Sequence, residues 1–250
     1  MLLNVYISHM FKMMFSLQWK EFNRGKAVGG KLVAKILKWF GIIYFAFIAF
    51  GMGIIASFPI EEDVIAPFLY VNKQLIYVFA YLIVMRYFIQ SLPILNIKAL
   101  LLTPLLKTKI VRFSLLKTVL TYFNILPLFF LIPFSVLLAQ TGKFDIIGLI
   151  FWNINIIGLI YVTNFFNFLL NNKDKLLYGI GGILALIKAL EYYSIVDLTE
   201  HSEQFFYLFY SQPYAVSFTW LLVFWLYNYV HKYLIQGLYI DTGLQTKIKE

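Results

Sequence analysis

The chain has 250 residues, of which 61% are hydrophobic, 20% aromatic and only 13% charged, with a mean hydropathy of +0.78. A soluble domain carries about 25% charged residues, and one small core has too little interior for this much apolar surface, so the composition excludes an ordinary soluble domain and implies an all-α polytopic membrane protein. The net charge of +9 is the excess expected of cytoplasmic loops and does not call for nucleic acid, while the lack of cysteine removes disulfides, thiolate metal sites and cysteine nucleophiles.

Residues 1–38 do not form a span. Phe11, Phe15, Trp19 and Phe22 recur at helical spacing and share one face, with Lys12, Ser16, Lys20, Asn23 and Arg24 around the other side. This pattern predicts a basic amphipathic helix in the membrane interface; a helix packed on another subunit is the alternative. No short apolar core with a cleavage site precedes Lys12, so the first span is expected to act as the insertion signal. Gly25, Gly29 and Gly30 then break the helix. The run from Gly25 to Leu32 imitates a phosphate-binding loop, but Leu32 stands where a magnesium-binding hydroxyl is needed and no strand precedes it. The chain is therefore expected to carry no nucleotide-hydrolysing motor of its own.

Six apolar runs follow, at residues 39–58, 75–94, 119–139, 146–170, 176–190 and 214–234. A β-barrel, the other fold that spans lipid, needs apolar and polar residues in alternation; these runs are continuous. Ala49 and Gly53 form a small-xxx-small pair in the first, and Pro127 and Pro133 are expected to bend the third. The N-terminal segment, the loop after the second run, the loop after the fourth and residues 235–250 with the adjoining Lys232 together carry 17 basic residues; the opposite side has Lys73, Lys143 and Lys188 with most of the acids. Basic loops mark the cytoplasmic side, which predicts six spans with both termini in the cytoplasm. Between the fifth and sixth runs, Phe205 to Tyr210 is apolar but far too short to cross, and fits an interfacial or re-entrant segment on the outer face; an ordinary loop with an aromatic belt is the alternative.

Few residues offer chemistry. Arg86 is the one charge well inside a span, about two turns deep, where it either snorkels to the headgroups or faces the bundle interior. Asn153, Asn164 and Asn167 fall within about 60° of one another on a helix, a stripe for interhelical hydrogen bonds or a pathway, whereas Asn155 points elsewhere. His9, His201 and His231 are split across the two sides, no HExxH pair or GxSxG elbow occurs, and Glu61, Glu62 and Asp63 read as an acidic turn. These patterns give no enzyme, metal or cofactor signal.

The loop from Asn96 to Lys117 carries Lys98, Lys107, Lys109, Arg112 and Lys117 and no acid. Thr103 before Pro104 suits the start of a helix, giving a short basic helix parallel to the membrane over about residues 100–112. A loop held on anionic lipid by its lysines has the same composition.

The order of these pieces resembles the permease subunits of type 2 ABC exporters (ABC-2): an interfacial helix, two spans, a cytoplasmic coupling helix, three spans, an outer re-entrant segment and a last span. The run from Leu102 to Val111 is similar to the leucine-rich, proline-containing basic coupling segment of those permeases. More narrowly, Trp19 to Phe22 and Asn96 to Lys109 resemble a group of uncharacterised membrane proteins placed near them. The resemblance implies a permease in the bacterial cytoplasmic membrane, driven by a separate cytoplasmic ABC ATPase that binds ATP and magnesium and docks on Leu102, Thr103, Pro104, Leu105, Lys107, Lys109 and Arg112. It also implies a pathway built by two permease halves, homo- or heterodimeric, with this chain as one half or as a fragment of a longer permease. A membrane scaffold holding a cytoplasmic partner on the same basic face is the alternative; a lipid-modifying enzyme ranks last, since only Arg86 lies at membrane depth.

Overall fold

The computed structural model describes residues 30–60, 63–90, 106–170, 174–193 and 197–237. Phe11, Phe15, Trp19 and Phe22 of the expected interfacial helix lie outside the described residues, as do Leu102, Thr103, Pro104 and Leu105 of the expected coupling segment. Eight helices are described: α1 (Gly30–Ile55), α2 (Ala66–Ile89), α3 (Lys107–Val119), α4 (Tyr122–Gln140), α5 (Ile146–Leu170), α6 (Asp174–Tyr192), α7 (Leu198–Ser211) and α8 (Ala215–Gly237). Among the described residues there is no strand, only a single bridge between Ile60 and Asp63. Three stretches are long and apolar enough to cross a membrane, Ala66–Ile89, Lys107–Gln140 and Ile146–Leu170, and Trp39–Ile55 is a shorter apolar segment.

The chain divides into two compact units, Met1–Phe45 and Ala46–Glu250. In the first, Phe40 and Tyr44 lie one turn apart on α1 and stack, with ring centroids 6.3 Å apart. The second unit is organised around α5, which packs on α2, α3, α4, α6, α7 and α8. Its sequence explains this: Trp152, Ile156 and Ile160 bury one side, and Thr163, Asn164, Phe165, Asn167 and Phe168 bury most of the last turns. The core gathers Phe68 and Leu75 of α2, Leu131, Phe134 and Leu138 of α4, and Phe206 and Phe209 of α7 around Trp152. Elsewhere large apolar side chains face outward, among them Phe47, Phe88, Ile132, Ile147 and Phe224, the surface a helical bundle presents to lipid and one a soluble monomer rarely carries.

Local chemistry sets the helix ends. The α4–α5 turn uses Gly142 at φ +68°, a left-handed position that favours glycine. The Asp145 carboxylate then accepts the Gly148 N–H at 2.9 Å and opens α5. At α7, the Asp197 carboxylate accepts from the Glu200 N–H at 3.0 Å and from the Thr199 hydroxyl at 2.7 Å. Both bonds favour the charged form, the hydroxyl's most, and hold the Asp197 carboxyl below the usual aspartate range.

Helix α5 keeps the expected 146–170, whereas other bounds differ from expectation. Helix α1 begins at Gly30 rather than residue 39 and ends at Ile55 rather than residue 58. Helix α2 begins at Ala66 rather than residue 75 and stops at Ile89, with Gln90 extended. Pro67 sits in its first turn, where the missing N–H is harmless. The polar Asn72 and Lys73, which read as loop, find partners: the Asn72 Oδ1 accepts from Trp152 Nε1 at 3.0 Å, and Lys73 pairs with Glu203 at 3.4 Å. Helix α3 begins at Lys107 after an extended Leu106 that makes no side-chain cap; Thr103 and Pro104, expected to open it, lie outside the described residues. The third run is interrupted at Leu120 and Thr121, between α3 and α4.

Candidate functional site

The polar residues of three helices meet at the α3–α4 break, and Arg86 is at their centre. Its side chain is fully buried, on the last turn of α2 rather than two turns deep, so it faces the bundle interior and does not snorkel. Nη1 donates to Gln90 Oε1 at 2.9 Å and to Asn164 Oδ1 at 3.3 Å. Nη2 donates to Asn124 Oδ1 at 2.7 Å and to the Phe123 carbonyl at 3.2 Å. Nε has no hydrogen-bond partner, and the guanidinium carbon lies 5.7 Å from the centroid of the Phe123 ring. Every acceptor is an amide or carbonyl oxygen; no carboxylate is among them.

The Phe123 carbonyl is available for a local reason. In a regular helix it accepts the N–H four residues on, and that residue is Pro127, which has none. Arg86 takes the place of the missing donor. The break itself is closed by side chains. Asn124 Nδ2 donates to the Thr118 and Val119 carbonyls at 2.8 and 3.1 Å, among the last acceptors of α3; the first of them also takes the Thr121 N–H at 3.1 Å. The Thr121 hydroxyl donates to the Thr118 carbonyl at 2.9 Å, and Asn164 Nδ2 donates to Thr118 Oγ1 at 3.0 Å. Gln90 Nε2 also reaches Asn164 Oδ1, at 3.0 Å, and Asn167 Nδ2 reaches the Arg86 carbonyl at 3.4 Å. The result is one connected network joining α2, the α3–α4 joint and α5.

Of the residues singled out in the sequence, Arg86, Asn164 and Asn167 come together here. Asn153 does not: it bonds Ser135 Oγ of α4 at 2.7 Å. It shares the stripe's angle but lies eleven residues from Asn164, about 16 Å along the helix. Asn155 does face another way, accepting the Thr219 hydroxyl of α8 at 2.7 Å. Arg112 is exposed and Lys109 partly so, on the side of α3 away from the fully buried Ile110, Val111 and Leu115; Lys107 is exposed at the start of the helix, in line with the buried Ser114 and Thr118. The sequence reading missed Gln90, Thr118, Thr121 and Asn124; Pro127 four residues after Phe123 was the one usable signal. Among the described residues, no group of three His, Cys, Asp or Glu side chains is placed to hold a metal ion, and the network offers neutral acceptors to a cation it already contains.

Helices long and apolar enough to cross a bilayer, packed on a central helix with a buried hydrogen-bonded arginine, define an all-helical membrane protein. The chain belongs to DUF5687, a family of unknown function whose model matches residues 18–250. No curated protein and no solved structure matches it.

Proposed function

We propose that the chain is the membrane-spanning half of an exporter permease, worked from the cytoplasm by a separate ATPase that grips α3 and the segment before it. In this reading α1, α2, α4, α5, α6 and α8 are the six spans of a protein of the bacterial cytoplasmic membrane. Both termini are cytoplasmic, and α7, too short at 14 residues to cross ~30 Å of hydrocarbon, lies at the outer face. One observation carries the proposal: α3 is two-sided. Arg112 is exposed and Lys109 half-buried on one side, while Ile110, Val111, Leu115 and Thr118 on the same 13-residue helix are buried against the bundle. Its inner end enters the Arg86 network, which reaches α2, α4 and α5. A load applied to the basic side is thus delivered to three helices at once, as a lever between a motor and a two-state bundle requires. Two such halves form the pathway.

The test is purification from native membranes. The wild-type chain is expected to bring down an ATP-hydrolysing subunit, and the Lys107→Glu, Lys109→Glu, Arg112→Glu variant to lose it. Equal recovery by the variant, or a wild-type partner that hydrolyses no ATP, overturns the proposal; the second outcome marks a scaffold.

A further inference from the structure

We propose that the α3–α4 break is a hinge latched by Arg86, with a second state in which residues 107–140 run as one continuous helix. The inference does not depend on what moves α3, and stands apart from the permease reading.

Sharp interruptions of a helix normally trace to proline, glycine or an inserted group. From Lys107 to Leu126 there is no glycine and no proline. The interruption rests on two residues, Leu120 at φ −95° and ψ 24° and Thr121 at ψ 153°, both outside the helical region. Nor does Thr121 stabilise the new start, because its side chain makes no cap to α4 and turns back to the Thr118 carbonyl. What keeps the chain broken is tertiary. In a continuous helix the Thr118 and Val119 carbonyls accept the N–H groups of Tyr122 and Phe123. In the broken form both accept Asn124 Nδ2, and the Thr118 carbonyl also takes the Thr121 N–H at 3.1 Å and the Thr121 hydroxyl. That amide is oriented by Arg86, which holds its oxygen at 2.7 Å. The two forms satisfy the same acceptors with different donors, a near-balanced trade, and the Arg86–Asn124 bond decides it.

The test uses the absence of cysteine in the chain, which makes any introduced pair unique. Leu116 on α3 and Ile132 on α4 are exposed, at 45% and 59%, and accept nitroxide labels as Leu116→Cys and Ile132→Cys. In a continuous helix their Cα atoms stand about 24 Å apart, sixteen residues at 1.5 Å each. In lipid nanodiscs the wild-type background is expected to give a principal distance away from that value, and Asn124→Leu to move it there. Adding Tyr122→Pro is expected to restore the original distance. Proline is accepted in the first turn of α4, favours the extended Thr121 already present, and is refused inside a continuous helix. A reference pair, Ile150→Cys on α5 and Leu221→Cys on α8, reports whether the bundle stays packed; if Asn124→Leu disturbs it, Arg86→Gln takes its place. An unchanged 116–132 distance in a packed variant, a shift that Tyr122→Pro does not reverse, or loss of the reference distance in both variants overturns the proposal. In the last case the joint is part of the core and no hinge.

Discussion

Replacing Arg86 by leucine separates the strength of the buried network from the cost of holding a charge without a counter-ion. In Arg86→Leu three acceptors lose their donor: the Gln90 Oε1, on a half-buried side chain beyond the helix end and left out of the sum, and two held inside the bundle, the buried Asn124 Oδ1 and the part-buried Phe123 carbonyl. Asn164 Oδ1 keeps Gln90 Nε2 at 3.0 Å and is spared. An unsatisfied buried acceptor costs about 1–3 kcal/mol, so the two together amount to roughly 2–6 kcal/mol. Against this, the variant no longer desolvates a guanidinium that has no carboxylate, nor a partnerless Nε. The net expectation is a loss of about 1–4 kcal/mol. Arg86→Lys separates charge from geometry. It keeps the charge but not the planar fork that spans Asn124 and Asn164, and is expected to lose a comparable amount. In the double variant Arg86→Leu, Asn124→Leu the orphaned amide is gone. Its destabilisation should therefore fall short of the sum of the singles by about 0.5–3 kcal/mol. Reversible unfolding in mixed micelles, followed by tryptophan fluorescence, reads the wild type and the four variants on one scale. A stable Arg86→Leu, or strict additivity with Asn124→Leu, refutes the reasoning.

Three further outcomes follow from the packing. A Cβ at Gly53 would stand 2.4 Å from the Phe130 carbonyl oxygen and 2.9 Å from Pro133 Cγ, whereas one at Gly51 meets nothing within 4 Å; Gly53→Ala is therefore expected to lose about 1–3 kcal/mol and Gly51→Ala nothing, in the same unfolding assay. Trp152→Phe leaves the buried Asn72 Oδ1 without its donor beside an Nδ2 already without an acceptor, and should cost about 1–3 kcal/mol or more, part of it recovered by adding Asn72→Leu. The depressed Asp197 carboxyl contributes to the start of α7 above the ordinary aspartate value of about 4 and loses that contribution as pH falls through its lower folded value. Asp197→Asn should then flatten the acid limb of the unfolding midpoint while leaving an acceptor for the Glu200 N–H.

What was legible in the sequence, and what was not, divides by range. The bounds of α5 follow from a continuous apolar run opened by Asp145 after Gly142, all local signals, and the structure gives Ile146–Leu170. The start of α2 was hidden because Asn72 and Lys73 look like loop until Trp152 and Glu203, distant in sequence, supply their partners. The α3–α4 break leaves no trace, because Leu120 and Thr121 are ordinary helix residues held open by Asn124 and Arg86. Sequence periodicity placed Asn153, Asn164 and Asn167 on one face, but it is blind to distance along the axis, and only the last two reach Arg86. Whether Arg86 turns outward or inward was likewise open, since its deciding partners are 38 and 78 residues away.

That the basic side of α3 faces the cytoplasm, where a motor can grip it, is tested most directly by labelling single cysteines with a membrane-impermeant maleimide. Thr108 in α3 and Lys143 in the α4–α5 turn are both exposed. Thr108→Cys is expected to react only in inside-out vesicles and Lys143→Cys only in intact cells. Labelling of Thr108→Cys from the outside of intact cells would contradict the orientation, and with it the docking of any cytoplasmic ATPase on this helix.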